Sequence, residues 1–282
     1  MRTVHNIAEL RKAVAKWRAD GEEIAFVPTM GNLHRGHVEL VRHGRQLAPR
    51  IVASVFVNPL QFGPNEDFDR YPRTLGDDQV KLKAARADLL FAPPVREIYP
   101  AGLKAQSVIT VPEISTILCG HFRPGHFDGV ATVVNLLLNL VQPDYALFGE
   151  KDYQQLLVIR RMVADLHLPV KIVGVPTQRE PDGLALSSRN QYLSPGQRAK
   201  APRLYAALLD IAKDLRGGRR NFASLEHAAV KRLLKDGFKP QYVSIRAKHL
   251  GKPSEYTEEF AVLTAAYLGK TRLIDNVLVD AV

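Results

Sequence analysis

The stretch that decides the fold of this chain is Pro28-Thr29-Met30-Gly31-Asn32-Leu33-His34-Arg35-Gly36-His37. The apolar residues 24–27 precede it and predict a buried strand. Residues 38–43 follow it with apolar side chains at positions 38, 40 and 41, and they are typical of a helix. The decapeptide is therefore predicted to be a strand-to-helix turn. The backbone N–H groups and the dipole at such a helix start favour phosphate binding.

Two histidines in this turn are candidate phosphate ligands. His34 and His37 are three residues apart, so on a first helical turn they share a face. Two imidazoles at a helix start can donate to phosphate oxygens and stabilise the charge that develops there. An H-x-x-H pair alone is more often surface decoration, and zinc is a further alternative, although no third ligand lies nearby in the sequence. At a strand exit, however, the pair resembles the H-x-G-H signature of the nucleotidyltransferase superfamily.

The composition limits the class of protein. A chain of 282 residues with 46% hydrophobic and 24% charged residues is long enough for one large globular domain or two unequal ones. The sequence has no apolar run of the roughly 18–20 residues that a membrane span needs. Residues 1–6 lack the apolar core of a signal peptide, and the single cysteine, Cys119, excludes an internal disulfide framework. We therefore expect a cytoplasmic location.

The positive charge is concentrated in the last third of the chain. The net charge is +10, and residues 190–282 contribute 16 Lys and Arg against 9 Asp and Glu, a net +7. Such a balance can serve nucleic acid binding or raise the local concentration of small anions. Because the sequence has no Arg-rich run with interleaved aromatic residues, small anions are the favoured interpretation.

Further polar loops follow other predicted strands. Asn58 and Gln61 come after the apolar run 51–57, and Lys151 and Gln155 come after the apolar run 145–148. In an open α/β sheet, ligands bind beyond the carboxyl ends of the strands. Two uncharged amides suit a small polar ligand, and a lysine at a strand exit suits phosphate. The tripeptide 187–189, Ser-Ser-Arg, can add a phosphate clamp.

The order of the elements predicts the fold class. Strands at 24–27, 51–57, 88–92, 145–148 and 170–175 alternate with helices, which favours a doubly wound parallel sheet. A short β-segment is predicted at 108–111. After residue 190, helices at 194–215 and 222–235 precede strands at 241–246, 261–267 and 272–279. We predict an α/β protein with a Rossmann-like sheet over 1–177 and a smaller α+β domain over 178–282.

Five motifs together resemble the pantothenate synthetase (pantoate–β-alanine ligase) family. They are residues 28–37, 56–67, 123–130, 148–155 and 182–190. The resemblance implies a Rossmann-like nucleotide- and pantoate-binding domain, a C-terminal lid and a homodimer. It also implies a two-step reaction. ATP and (R)-pantoate give pantoyl adenylate and pyrophosphate with Mg²⁺, and β-alanine then gives pantothenate and AMP.

The resemblance also implies roles for individual residues. It makes His37 the proton donor and places His34 and Lys151 at the ATP phosphates, as catalytic residues. It assigns pantoate to Gln61 and Gln155, with Gln61 also near β-alanine, and we expect Asn58 beside them. No metal ligand is assigned to the protein. The implied ATP-binding residues are Met30, Gly31, Asn32, Leu33, His34, Arg35, Gly36, His37, Gly149, Glu150, Lys151, Asp152, Gln178, Leu186, Ser187, Ser188 and Arg189.

The chain departs from the family pattern at three positions, and two other functions compete. Gln178 stands where an apolar residue is commoner, Cys119 where Glu is commoner, and Leu136 where Lys is commoner, which affects details of the 130–141 helix and the loop before it.

A different H-x-G-H adenylyltransferase would need more cations for a phosphorylated acceptor. An RNA-binding protein would use the basic last third of the chain. Small-molecule partners, without nucleic acid or membrane, are expected.

Overall fold

The computed structural model describes residues 1–64 and 66–281, and it divides into two compact units. Unit 1 is Met1–Glu150 with Gln155–Pro176, and unit 2 is Lys151–Gln154 with Thr177–Val282. Asn65, which falls in the 56–67 motif, lies outside the described residues. The short segment Lys151–Gln154 therefore belongs by its contacts to unit 2, although it lies within the sequence of unit 1.

Unit 1 contains, among the described residues, a six-stranded sheet in which all paired strands are parallel. Its strand order is β1-β4-β3-β2-β5-β6. The strands are β1 (Arg2–Val4), β2 (Ile24–Thr29), β3 (Arg50–Val55), β4 (Leu89–Phe91), β5 (Tyr145–Gly149) and β6 (Lys171–Val175). The helices are α1 (Ile7–Ala19), α2 (Arg35–Leu47), α3 (Leu75–Ala84), α4 (Val95–Ile98), α5 (Cys119–Phe122), α6 (His126–Val141) and α7 (Tyr153–Asp165), whose first two residues belong to unit 2.

The strand order places the two central strands at a switch point. From β2 the chain proceeds outward through β3 to β4, and from β5 it proceeds the other way to β6. The strands are buried because their runs are apolar on both faces; Ile24, Phe26 and Ile51, for example, have no exposed surface. Ligands bind outside the carboxyl ends of the strands at such a switch point. The 28–37 turn follows β2 at that position.

Unit 2 is a layer of helices on a three-stranded antiparallel sheet, within the described residues. Its apolar core joins the two longer helices to all three strands, and Leu208, Leu215 and Phe260 are fully buried in it. A turn at residues 269–270 joins the last two strands, with Gly269 at φ +61°. The elements are α8 (Pro195–Lys200), α9 (Arg203–Arg216), α10 (Phe222–Lys235), β7 (Phe238–Ala247), β8 (Glu259–Leu268) and β9 (Thr271–Asp280).

Most predicted elements are confirmed, and two predictions are wrong. Residues 108–111 form no strand, because the Ile109 N–H donates to the Thr132 hydroxyl of α6 at 2.9 Å instead of to a neighbouring strand. The single helix predicted over 194–215 is two helices, α8 and α9. Pro202 lies between them, and a proline lacks the N–H that would continue the helix. The lid role of the C-terminal domain stays a prediction.

None of the helices given above is both long enough and apolar enough to cross a lipid bilayer.

Candidate active site

The turn between β2 and α2 has an unusual backbone. Gly31 and Asn32 have φ values of +83° and +49°, in the left-handed region. A Cβ at Gly31 would lie 3.0 Å from the Asp78 Oδ2 atom and 3.0 Å from the Val55 Cγ1 atom. Glycine is required here because a side chain would be both strained and crowded. The tight turn brings the chain from the end of β2 to the start of α2 within a few residues.

The two histidines of this turn cap the helix reciprocally. His34 Nδ1 accepts a hydrogen bond from the Gly36 backbone N–H at 3.1 Å, and His37 Nδ1 accepts one from the His34 backbone N–H at 3.2 Å. The ring centroids are 4.1 Å apart. Because a backbone N–H only donates, Nδ1 carries no proton in either ring, and each neutral ring carries its proton on Nε2. The caps therefore fix both tautomers and make both Nε2–H groups donors at the helix N-terminus.

The side chains of α3 hold the same turn from the other side. Asp78 is fully buried, and its two carboxylate oxygens accept from the backbone N–H groups of Asn32 at 2.9 Å and Leu33 at 2.8 Å. The Lys81 ammonium donates to the Leu33 carbonyl at 2.7 Å. Helix α3 thus provides hydrogen-bond partners for two backbone N–H groups and one carbonyl of the turn. Sequence reasoning missed Asp78, and its only signal was an acidic pair, Asp77 and Asp78, in the first turn of α3.

A second polar cluster lies after β3, in the 3₁₀ turn Pro59–Gln61. Asn58 is 1% exposed, and its Nδ2 donates to the Gln61 Oε1 at 3.1 Å and to the Gly129 carbonyl at 3.0 Å. Because Gln61 Oε1 accepts from Asn58, the amide is oriented with its NH₂ group as the donating end. That Nε2 contacts the Met30 sulfur at 3.0 Å. The structure therefore brings Met30 of the histidine turn together with Gln61.

Two residues to which sequence reasoning gave no role support this cluster, namely Tyr99 and Gly129, the latter within the 123–130 motif. The Tyr99 hydroxyl donates to the Asn58 Oδ1 at 2.7 Å. Burial raises the pKa of Tyr99 above its ordinary value, which keeps the phenol a donor. Gly129 of α6 lies so close to the turn that a Cβ would be 2.3 Å from the Leu60 carbonyl oxygen and 2.7 Å from the Gln61 nitrogen. No pattern in the sequence marks either residue as a neighbour of Asn58.

An ion pair extends the cluster along the 123–130 motif. Arg123 donates to both Glu66 carboxylate oxygens, at 2.6 and 2.5 Å, and to the His126 Nε2 at 2.9 Å. Since a guanidinium only donates, His126 carries its proton on Nδ1, which lies 2.8 Å from the Gln61 carbonyl oxygen. Burial alone would raise the pKa of Glu66, but the hydrogen bonds and charge of Arg123 hold that pKa below its usual value. These contacts fix the Gln61 backbone.

The other predicted residues of unit 1 lie on β5 and α7. Gly149 is the last residue of β5, and Glu150 begins the 3₁₀ turn Glu150–Asp152 that follows it. Gln155 is half-buried in the first turn of α7. All three lie at or shortly after the carboxyl end of β5, a central parallel strand.

Unit 2 carries the remaining predicted residues on two segments. Lys151 and Asp152 belong to the segment Lys151–Gln154. Gln178 and Leu186 face each other in a small hairpin, in which the Leu186 N–H donates to the Gln178 carbonyl at 2.9 Å. Ser187 then caps the 3₁₀ turn Ser188–Tyr192 by accepting from the Arg189 N–H at 3.2 Å. The Ser187 hydroxyl is thus occupied as an acceptor and keeps its proton for donation.

The fold and the turn define an α/β protein with a reciprocally capped H-x-G-H turn at the switch point of a parallel sheet. The family model described as Pantoate-beta-alanine ligase matches residues 2–278. The chain belongs to this family.

Relatives and solved structures agree along almost the whole chain. A pantothenate synthetase from Stutzerimonas stutzeri is 56% identical over 281 residues, covering 99% of this chain and 98% of the relative. A crystal structure of pantothenate synthetase from Thermus thermophilus superposes with a TM-score of 0.92 at 50% identity, covering 98% of this chain and 99% of that one. The Francisella tularensis pantoate-beta-alanine ligase, crystallised with beta-gamma ATP and beta-alanine, has a TM-score of 0.83 at 35% identity and covers 99% and 97%.

Proposed function

We propose that this protein joins (R)-pantoate and β-alanine to pantothenate at the expense of ATP, as a pantoate–β-alanine ligase. In the first step a pantoate carboxylate oxygen bonds to the α-phosphorus of ATP, and the bond to the bridging oxygen breaks as pyrophosphate leaves. In the second step the β-alanine nitrogen bonds to the acyl carbon, AMP leaves, and the nitrogen loses its proton. No covalent bond to the protein is needed in either step.

The observation that carries this proposal is the pair of fixed Nε2–H donors at the start of α2. In-line attack at phosphorus places developing charge on the phosphoryl oxygens and on the leaving pyrophosphate. Preorganised donors stabilise such charge without having to reorient during the reaction. We assign His34 and His37 to the ATP phosphates, with the His37 Nε2–H as proton donor. Met30, Gly31, Asn32, Leu33, Arg35 and Gly36 form the surrounding ATP-binding turn.

The amide cluster, formed by Asn58 and Gln61, suits a small hydroxy acid that is recognised by uncharged hydrogen-bonding groups. The oriented NH₂ of Gln61 can donate to pantoate oxygens, while Asn58 holds that amide in place. We assign Gln61 and Gln155 to pantoate, with Asn58 at the same site. A phosphorylated acceptor would instead call for cations, and the Arg123 guanidinium in this cluster is already paired with Glu66. The cluster therefore favours pantoate over the acceptors of other adenylyltransferases.

The remaining ATP contacts are assigned by the resemblance to the family. Gly149, Glu150, Lys151 and Asp152 are proposed to hold ATP, with the Lys151 ammonium at the phosphates as a point charge. Gln178, Leu186, Ser187, Ser188 and Arg189 are proposed as the second ATP-binding segment. A hydroxyl whose acceptor side is already satisfied, as that of Ser187 is, suits donation to a phosphate oxygen.

Mg²⁺ is proposed to enter with the nucleotide. The described part of the chain contains no cluster of three or more His, Cys, Asp or Glu side chains that could hold a metal ion. Mg²⁺ usually keeps several waters and binds largely through substrate phosphates, so the donor set of the site is compatible with it. When bound, the ion would neutralise phosphate charge, and the side chains named above would still bind and orient the two substrates.

A homodimer is a further proposal, which rests on the family resemblance alone. Light scattering on a gel-filtration column should give about twice the 31.4 kDa mass of one chain. A single peak at the mass of one chain across a dilution series would refute it.

The reaction is tested by ATP–pyrophosphate exchange. Exchange should require pantoate and should proceed without β-alanine, because the adenylate forms and reverts before the amine is needed. AMP release in bulk should require all three substrates. Exchange that appears only after β-alanine is added would point to a concerted mechanism and would contradict the adenylate.

The role of the histidine donor is tested separately with two variants. His37→Ala removes both the cap and the Nε2–H, whereas in His37→Asn the amide oxygen can still accept the His34 N–H. Both should lose roughly 10²–10³ in exchange rate, the usual loss when one preorganised donor is removed. Only His37→Ala should also lower the melting temperature, because it removes a helix cap. A near wild-type exchange rate in His37→Asn would refute the role of the donor.

A further inference from the structure

Two adjacent buried polar residues stand in the middle of β9. Asp275 and Asn276 are 4% and 6% exposed, and consecutive strand residues point to opposite faces of a sheet. Neither is explained by packing of the apolar core, since burying a polar side chain costs free energy unless it is hydrogen-bonded. The partners of the two side chains therefore indicate why they are there.

The partner of Asn276 is the backbone of Lys151. Asn276 Nδ2 donates to the Lys151 carbonyl at 2.9 Å, across 125 residues of sequence. A second contact holds the same segment, because the Tyr153 hydroxyl donates to the Lys248 carbonyl at 2.9 Å. The segment Lys151–Gln154 is thus attached to unit 2 by side-chain bonds on both sides of Asp152. Its lysine is the one proposed above to meet the ATP phosphates.

The backbone of Asn276 is itself held at both of its polar ends. Its N–H donates to the Asp275 Oδ1 at 2.8 Å, and its carbonyl accepts from the Arg179 Nη2 at 3.2 Å. Arg179 also binds both Asp275 carboxylate oxygens, at 2.7 and 2.9 Å, and lies 3.5 Å from the ring centroid of Tyr205. A bidentate guanidinium–carboxylate pair that is stacked and largely buried is geometrically rigid. Asn276 is therefore a donor with little freedom to move.

We propose that Asn276 is a positioning residue of the reaction. By holding the Lys151 carbonyl, it fixes the point from which the Lys151 ammonium reaches the phosphates. The four-carbon stem of a lysine is flexible, so its side chain alone does not fix the position of the ammonium. Holding the lysine backbone in place limits the positions that the ammonium can reach. This inference rests on the proposed role of Lys151. The inference gives β9 a role in adenylation, although none of the five sequence motifs contains a residue of β9.

The test is a double-mutant cycle on pantoate-dependent ATP–pyrophosphate exchange in the full chain. The variants are Asn276→Ala, Lys151→Ala and the two combined. Asn221→Ala is the matched control, because it also removes one asparagine hydrogen bond in unit 2, but one whose partner is the Ser224 N–H at the start of α10. Residues that act as one unit give non-additive effects, whereas independent sites give additive ones.

Asn276→Ala should lower the exchange rate constant by roughly tenfold or more, as expected for a small displacement of a reacting group, while the pantoate KM stays unchanged. It should cause no further loss when Lys151 is already alanine. Asn221→Ala should leave the exchange rate unchanged below its melting temperature. Hydrogen exchange of the amides around 149–155 should be faster in Asn276→Ala than in the wild type or the control.

Three results would overturn the inference, and they are distinguishable. A wild-type exchange rate in Asn276→Ala, with a strong loss in Lys151→Ala, refutes the positioning role of Asn276 and leaves the role of the lysine intact. Losses that multiply in the double variant show that Asn276 acts independently of the lysine and does not position it. A wild-type rate in Lys151→Ala refutes the role of the lysine itself, and the inference with it.

Discussion

Gly129 offers the most direct test of how the amide cluster is built. This residue of α6 contributes its carbonyl to Asn58, and its Cα faces the backbone of the Pro59–Gln61 turn. In Gly129→Ala the added Cβ would lie 2.3 Å from the Leu60 carbonyl oxygen and 2.5 Å from the Leu60 carbonyl carbon. The clashing atoms are main-chain atoms, so no side-chain rotation can relieve the contact.

The size of the effect follows from these distances. Ordinary contacts of a Cβ begin at 3.4 Å, so the oxygen must move from 2.3 Å to at least that distance, a displacement of about 1 Å. A methyl group forced into a packed core typically costs about 1–3 kcal/mol of stability. A misplacement of about 1 Å at a reacting site can cost on the order of 10²-fold in rate. Gln61 moves with the turn, so pantoate use should suffer more than ATP binding.

The assay measures pantoate-dependent ATP–pyrophosphate exchange over a range of pantoate concentrations, with the melting temperature recorded for each variant. Gly76→Ala is the matched control, because it also places a methyl group on a glycine of a unit 1 helix but meets nothing within 4 Å. That control should be active and slightly stabilised, since alanine favours helix by about 1 kcal/mol over glycine.

The result expected for Gly129→Ala is a folded protein with a raised pantoate KM, a lowered rate constant and a nearly unchanged ATP KM. Equal activity of Gly129→Ala and Gly76→Ala would show that the turn can retreat without moving Gln61, and the reasoning would be refuted. If Gly129→Ala melts too low for the standard assay, the exchange of both variants is measured at a reduced temperature where both remain folded, and the same comparison decides.

Three further predictions concern the contacts around the two clusters. Asp78→Ala should lower the exchange rate at least tenfold and cost about 1–3 kcal/mol, because the buried Leu33 N–H and the partly buried Asn32 N–H lose their acceptor. Asp77→Ala, at an exposed neighbour, should do neither, and equal effects of the two would contradict the role of Asp78. Tyr99→Phe removes the donor to Asn58 and should cost about 1–2 kcal/mol and raise the pantoate KM, as chemical denaturation and kinetics would detect; an unchanged KM would mean that Asn58 holds Gln61 without it. Because the folded-state pKa of Glu66 is below its ordinary value, its ion pair with Arg123 should stabilise the fold above about pH 4.5 and lose that effect as the pH falls through the folded-state pKa; the stability difference between the wild type and Glu66→Gln should shrink in that range, and a difference independent of pH from about 3 to 7 would refute the pair.

The sequence predicts the parallel sheet well because its strands are buried on both faces. Residues 24–27 and 145–148 are continuous apolar runs, and both are central strands in the structure. β1 could not be found in this way. It has three residues, Arg2–Val4, and is a strand only because it pairs with β4, which lies more than 80 residues later.

In the candidate site, too, local features could be predicted from the sequence and long-range contacts could not. The histidine turn could be predicted because its residues are contiguous and its meaning depends on local geometry. The contacts of Asp78, Tyr99, Gly129 and Asn276 could not be predicted, because each joins segments between 41 and 125 residues apart. Such contacts exist only once the chain is folded, and no periodicity or motif in the sequence shows which segments they join.

The attachment of Lys151 to β9 has a consequence for the order in which the protein is made. A chain leaves the ribosome from its N-terminus, so the segment Lys151–Gln154 is synthesised long before its two partners, Lys248 and Asn276. The sheet of unit 1 needs no residue beyond 176 and can form while translation continues. The Lys151 carbonyl acquires its side-chain donor only when β9 has emerged, and a nascent chain stalled before residue 276 would carry the histidine turn without that hydrogen bond. If Lys151 meets the ATP phosphates as proposed, its anchor becomes available only after β9 has been synthesised, later than every strand of the unit 1 sheet.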